Sequence, residues 1–407
     1  MIPVLAGLAR WRWLLPLSWL LAIWWSLTID PLLIQGRSLN AAIQGVQVVM
    51  FLAPATAVAG ALAGASLRGN KGRMLTSARP TVALAAGVCG VHALIAASAL
   101  TLSSLLVRVS TSATGFEGWE VISLATLTVT GASAVGQALG RHLPEVVAAP
   151  IALLGSYVVL TLPRTFGDPL WLRHLAFVDS CCNSVEEVSP RVLGAIAAMA
   201  TATVTAGLLT TLRRHRLVGM AVGAAALVIG WTVSTSLVQD LGWSPATART
   251  GQVVCIGAQQ EQVCVWPENS AALDELAAAW TRLRQTAEEQ SLDLPTRVTE
   301  RAGGEVHYGD GLMSLTPDTP VAHYPEVVVL GALPSMDRCI VDGTMDSRID
   351  NAWLSLAQWW MDTAGFTRSE QLIDPPHAYL DVPEAELSAR LQELIDSIRA
   401  CDPSGLP

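Results

Sequence analysis

The chain has 407 residues, 51% of them hydrophobic and only 14% charged, with a mean hydropathy of +0.43 and a formal net charge of -9. This balance belongs to multi-span membrane proteins and excludes an ordinary soluble enzyme. The charge is unevenly divided: residues 1–238 carry 15 basic and 8 acidic side chains, net +7, and residues 239–407 carry 10 basic and 26 acidic, net -16, a field that repels nucleic acid.

The composition therefore divides the chain into a membrane domain, 1–238, and an acidic domain, 239–407. The amino end, MIPVLAGLARWRW, brings Arg10 and Arg12 up to a tryptophan-rich apolar run at 13–28. This run has no small-residue cleavage site and reads as an uncleaved first span with its amino end inside. A second span covers 41–67 and ends in RGNKGRMLTSARP. That loop, 68–80, holds Arg68, Lys71, Arg73 and Arg79 and no acid, the pattern of a cytoplasmic turn. Span three is 81–107, and the short loop after it has Glu117 as its one acid before Gly118. Span four, 120–139, is closed by Arg141 and His142, and span five, 146–162, is expected to break or kink at Pro150.

A loop over 163–190 follows, with Trp171, Cys181, Cys182, Glu186 and Glu187. Span six is 192–212. Arg213, Arg214, His215 and Arg216 then lead into span seven, Leu217–Val238, which has no charged residue. Seven spans with an inner amino end place the loops at 29–40, 108–118 and 163–190, and everything after 238, outside, with every multi-arginine turn inside.

Cysteine usage gives an independent line on the same topology. Cys89 lies in an apolar run, whereas Cys181, Cys182, Cys255, Cys264, Cys339 and Cys401 lie in polar segments that this topology sets on the oxidising side. Six cysteines can form three disulfides, with fifteen possible pairings. No CxxC pair or Cys/His cluster points to zinc. Direct bonding of Cys181 to Cys182 closes a strained ring, so each is expected to reach a different partner and so dock the acidic domain over the bundle.

Small residues crowd the spans at GxxxG spacing, in the pairs Gly60 with Gly64, Gly136 with Gly140 and Gly219 with Gly223, which favours close helix packing. No Asp, Glu, Lys or Arg sits near mid-span, so the usual signature of an ion pathway is missing. His92, in span three, is expected to hydrogen-bond a neighbouring helix.

The acidic domain reads as α/β. Segments 253–256 and 262–266 are strand-like with one cysteine each, which makes Cys255 and Cys264 a candidate hairpin staple. Asn269 and Ser270 are placed to cap a helix over 271–289, where Leu273, Leu276, Trp280 and Leu283 recur at helical spacing. Further strands are expected at 297–299 and 326–330, and helices at 348–364 and 383–400. Cys401 follows the last helix and can reach Cys339 or the Cys181–Cys182 loop. In the pair Trp359 and Trp360, one ring is expected in the core and one at an interface.

No HExxH, GxSxG, SxxK or Walker pattern occurs. His307, His323 and His377 are scattered, and even His307, three residues before Asp310, reads as a solvated loop histidine. No enzyme activity, cofactor or metal is therefore expected.

The 68–80 loop, after a first hairpin and before span three, resembles the cytoplasmic coupling loop of ABC-2-type exporter permeases, although its charges alone equally describe an ordinary inner turn. Together with the arginine-flanked small-residue spans, the adjacent cysteines and a tail opening with QVCVWPEN, the layout resembles an actinobacterial family of permease-like membrane proteins assigned to ABC transport systems. The resemblance implies a plasma-membrane permease subunit with a separate ATPase docking at Arg68, Lys71, Arg73 and Arg79, and a second membrane subunit or a homodimer. The alternative is a membrane-anchored extracytoplasmic binding or immunity protein that transports nothing.

Overall fold

A computed structural model describes residues 13–29, 36–68, 81–113, 117–166, 169–178, 181–212, 216–242, 244–258, 262–293, 295–302, 309–316, 319–336, 339, 345–366, 379–380, 382–404 and 406. Its contacts form two compact units: Met1–Cys181 with Val188–Ala246, and Cys182–Glu187 with Thr247–Pro407.

The first unit is helical: α1 (Leu14–Thr28), α2 (Ser38–Val46), α3 (Val49–Arg68), α4 (Thr81–Ser110), α5 (Trp119–His142), α6 (Glu145–Thr161), α7 (Pro190–Leu209) and α8 (Arg216–Val238). Six of these, α3 to α8, are long and apolar enough to cross a membrane, α6 with the 3-10 turn that follows it. Helix α1 has 15 residues, about 22 Å at 1.5 Å per residue, which is short of a hydrocarbon core of about 30 Å. The described residues thus supply six membrane-length helices rather than seven, and Arg10 and Arg12 lie outside them.

The expected second span is two helices. Gly45 packs so closely on α4 that an added Cβ would lie 2.6 Å from the Ser104 Cα, while the glycines of α3 hold that helix to α5 instead. Gln47 and Val48, between helices drawn to different neighbours, make the break. Helix α6, by contrast, runs through Pro150 without interruption. Pro150 removes one backbone donor near the start of the helix.

Helix α5 is the hub of the bundle, packing on α3, α4, α6 and α7, and α8 lies at the edge against α7. Its buried face is made of small and polar residues, Gly131, Ser133, Ala134, Gly136, Gln137 and Gly140. Helices α6 and α8 instead leave large apolar side chains exposed, among them Val146, Leu154, Val159, Leu217, Val228 and Ile229. Hydrocarbon covers such surface without the cost that water would impose.

The second unit is α/β. A three-stranded sheet runs in the order β3 (Val254–Ile256), β4 (Val263–Val265), β5 (Val298–Thr299), with β3 antiparallel and β5 parallel to β4. Around it lie α9 (Leu273–Glu289), α10 (Tyr324–Ala332), α11 (Ser347–Thr363) and α12 (Glu384–Ala400). Their apolar stripes meet in one core containing Val263, Leu276, Leu283, Val329, Trp360 and Leu394. Trp360 is buried and its Nε1 donates to Leu283 O at 2.6 Å, and Trp359 is partly buried at the core margin.

Two readings of this unit are corrected. Residues 326–330 are helix, not strand: Pro325 occupies the first turn of α10 with Glu326, and a short run buried on several sides has no period that separates the two states. Asn269 does not cap α9; a 3-10 turn (Pro267–Ala272) precedes that helix, and the Asn269 amide is spent on Glu300 and Leu315.

Candidate functional site

The tightest seam of the helical unit joins α3 to α5. An added Cβ at Gly60 or Gly64 would strike the carbonyl of Ser133 or Gln137, and one at Gly136 or Gly140 the carbonyl of Ala57 or Ala61. The two glycine pairs therefore interlock, four residues apart on each of two parallel helices. Gly219 is equally close to Leu209 O on α7, whereas Gly223 is looser, its added Cβ lying 3.2 Å from Ala206 O. Gly207 against Ala134 and Gly230 against Ala202 make the same kind of contact outside a GxxxG pair.

Beside this seam, α4 and α5 share buried polar groups. His92 Nδ1 lies 2.7 Å from Ser133 Oγ, and Gln137 Nε2 donates to Cys89 Sγ at 3.0 Å. His92 is thus hydrogen-bonded to a neighbouring helix.

Hydrogen bonds sort the helix ends into two sets. At one end, Thr81 Oγ1 donates to Thr211 O at 3.1 Å and His142 Nε2 lies 3.3 Å from Thr210 O. Arg68, Arg141 and the start of α8 at Arg216 belong to this end, while Lys71, Arg73 and Arg79 lie outside the described residues. At the other end, Arg37 pairs with Glu117 at 3.3 Å, Arg164 Nη1 donates to Met50 Sδ at 3.2 Å, and His174 Nε2 lies 3.0 Å from Gly242 O. Helix α8 finishes here at Val238, next to the exposed Arg191–Asp240 pair.

Between α6 and α8 lies a cleft of about 600 Å³, floored by α3, α5 and α7. Ile151, Gly155 and Val159 form one wall, Leu227 and Trp231 the other, and no lining residue is charged. Its hydroxyls are already used: Thr128 donates to Ala176 O at 3.0 Å, Thr203 to Met199 O at 2.7 Å, and Ser156 to Ala152 O. Leu162, Pro163, Leu172 and Leu175 line the cleft beside Arg164, whose guanidinium sits 3.8 Å above the Phe177 ring. Sequence reasoning missed this cleft because its lining comes from six separate segments, each of ordinary apolar composition.

In the α/β unit, Cys255 is bonded to Cys264 and Cys339 to Cys401. The first pair faces itself across the β3–β4 register. Cys89 is free, and Cys181 and Cys182 are both disulfide-bonded. Since the other four cysteines pair among themselves, neither Cys181 nor Cys182 bridges to them, contrary to expectation, and the two are left to each other. The tail cysteines satisfy one another because their strands and helix ends already adjoin.

Glu300 is the one acidic side chain in the core of this unit among the described residues. Its carboxylate accepts from Trp266 N–H at 2.8 Å, from Leu315 N–H at 3.1 Å and from Asn269 Nδ2 at 3.0 Å. Burial pushes its pKa up to about 7, and the three donors only partly offset this. Among the described residues no three His, Cys, Asp or Glu side chains could hold a metal ion. His323 ends a short 3-10 turn, and His307 and His377 lie outside the described residues.

No curated protein and no solved structure matches the chain. A family model described as a domain of unknown function, DUF7224, matches residues 263–392, from β4 into α12, a stretch that includes Glu300 and Cys339.

Proposed function

We propose that the chain is the membrane subunit of an ABC-type exporter that borrows its ATPase from a separate subunit. The observation that carries this reading is the apolar cleft open between α6 and α8 in a bundle of six membrane-length helices. Such a cleft gives hydrophobic cargo a lateral route into the bilayer, and mid-span charges that would suit an ion path are lacking. The segregation of Arg68, Arg141 and Arg216 to one end supports a cytoplasmic assignment for that end by the positive-inside rule. The 68–80 loop then faces the cytoplasm as the ATPase docking segment, and Val238 delivers the acidic domain to the outside. Two disulfides within that domain agree with an oxidising compartment. On this reading α1 runs toward the outer end as a seventh span, and a second membrane subunit or copy completes the transporter.

Arg73→Glu tests the docking role. The expected outcome is normal insertion with loss of partner-dependent ATPase stimulation and of ATPase binding; equal binding of an ATPase subunit by variant and parent overturns it.

The second reading, a membrane-anchored binding or immunity protein, draws on the separate core of the α/β unit. It predicts full biological activity from that unit tethered by a single unrelated span, an arrangement in which the exporter reading predicts none.

A further inference from the structure

We propose that the cleft between α6 and α8 holds one acyl chain of an anionic phospholipid, with the lipid phosphate at Arg164. Three observations choose this occupant. The cleft lies between membrane-length helices, and its lining is uncharged, with the hydroxyls of Thr128, Ser156 and Thr203 donating to backbone carbonyls, so it asks for no hydrogen bond from what fills it. A polymethylene chain meets that condition, and a peptide backbone, whose amides need partners, does not.

The second observation is charge. Arg164 directly follows Leu162 and Pro163, which line the cleft, and its side chain is steadied by the Phe177 ring and the Met50 sulfur. A cation set at one end of a chain-shaped apolar space complements a phosphate attached to an acyl chain. The third is energetic. A chain gains no hydrophobic energy in moving from bulk lipid into a protein cleft, so retention depends on packing and on the charge at its end. Arg164 is therefore the determinant of lipid choice, and the cleft walls are the determinant of occupancy.

Glycine supplies the variant. A Cβ added at Gly155 meets nothing within 4 Å, so Gly155→Phe fills the cleft without disturbing backbone packing, and Gly87→Phe, at an equally open site on α4 away from the cleft, is its control. The full chain is reconstituted in phosphatidylcholine vesicles containing a trace of phosphatidylglycerol with a photoactivatable diazirine on one acyl chain. Labelled residues are then mapped by mass spectrometry. No ATPase takes part, so the result is separate from the exporter reading.

The expected result is label concentrated on α6, α8 and the α5 floor, reduced about tenfold by Gly155→Phe and unchanged by Gly87→Phe. Arg164→Gln should lower phosphatidylglycerol labelling about tenfold, the loss of one charge-assisted contact, to the level of a phosphatidylcholine probe. Gly155→Leu repeats the filling test with a smaller side chain should phenylalanine impair assembly. Label spread evenly over all lipid-facing helices, cleft labelling that ignores Arg164→Gln, or cross-links to a second copy of the chain in place of lipid would each overturn the proposal.

Discussion

Glu300 shows most clearly what a single side chain can decide in this protein. Its two carboxylate oxygens each take a backbone donor, Oε2 from Trp266 and Oε1 from Leu315. A glutamine has one carbonyl oxygen, so in Glu300→Gln an amide N–H2 must face a backbone N–H. We expect that variant to lose about 1–3 kcal/mol in the α/β unit, measurable as faster hydrogen exchange across β4 and β5 in the full chain. The pH dependence has a definite sign. With its pKa raised from 4.5 to about 7, Glu300 holds a proton in the folded state that the unfolded chain has released. Stability is therefore greatest below about pH 4.5 and falls as pH rises to about 7, by roughly 3 kcal/mol for this group. Exchange corrected for its intrinsic pH dependence should show this fall in the parent and not in Glu300→Gln; a parent whose protection rises over that range would contradict the assignment. None of this was legible beforehand, because Glu300 sits in an unremarkable Thr-Glu-Arg stretch and its donors come from distant segments.

Helices and strands were more legible where one physical rule dominated. Long apolar runs gave the membrane helices within a few residues, and strands separated by a polar turn, with one cysteine each, made Cys255 and Cys264 a natural pair. Legibility failed where neighbours decide: the break at Gln47 and Val48 is made by packing on two different helices, and the valines of α10 read as strand until their surroundings are known. The seam between α3 and α5 carries its own test. Gly140→Ala forces the α3 backbone to shift, a cost of about 1–3 kcal/mol, whereas Gly223→Ala meets a carbonyl at 3.2 Å and needs only a small adjustment. Thermal unfolding in detergent should rank Gly140→Ala well below Gly223→Ala; equal melting would deny the seam its role. In the other unit, the Cys339–Cys401 bond closes 62 residues, so replacing both by serine should cost about 4 kcal/mol by loop-closure entropy. That loss should appear as a lower unfolding midpoint for the α/β unit, with the helical unit unchanged.

For the whole molecule, the decisive feature is polarity along the bundle. The final helix, α8, is peripheral, and α5 organises the packing, yet α8 sets where the acidic unit emerges. The helix termini bearing Arg68, Arg141 and Arg216 share one end, and Arg37, Glu117, Arg164 and Val238 share the other. Charge bias assigns the first end to the cytoplasm and the redox demand of two disulfides assigns the second to the outside. The measurement that tests this account most directly is maleimide labelling of Cys255, whose strand is exposed, on intact cells with a membrane-impermeant reagent and reductant. The account predicts labelling of Cys255 in intact cells only once the impermeant reductant has opened its bond to Cys264. Labelling that needs no reductant, or that appears only after the membrane is disrupted, would contradict it.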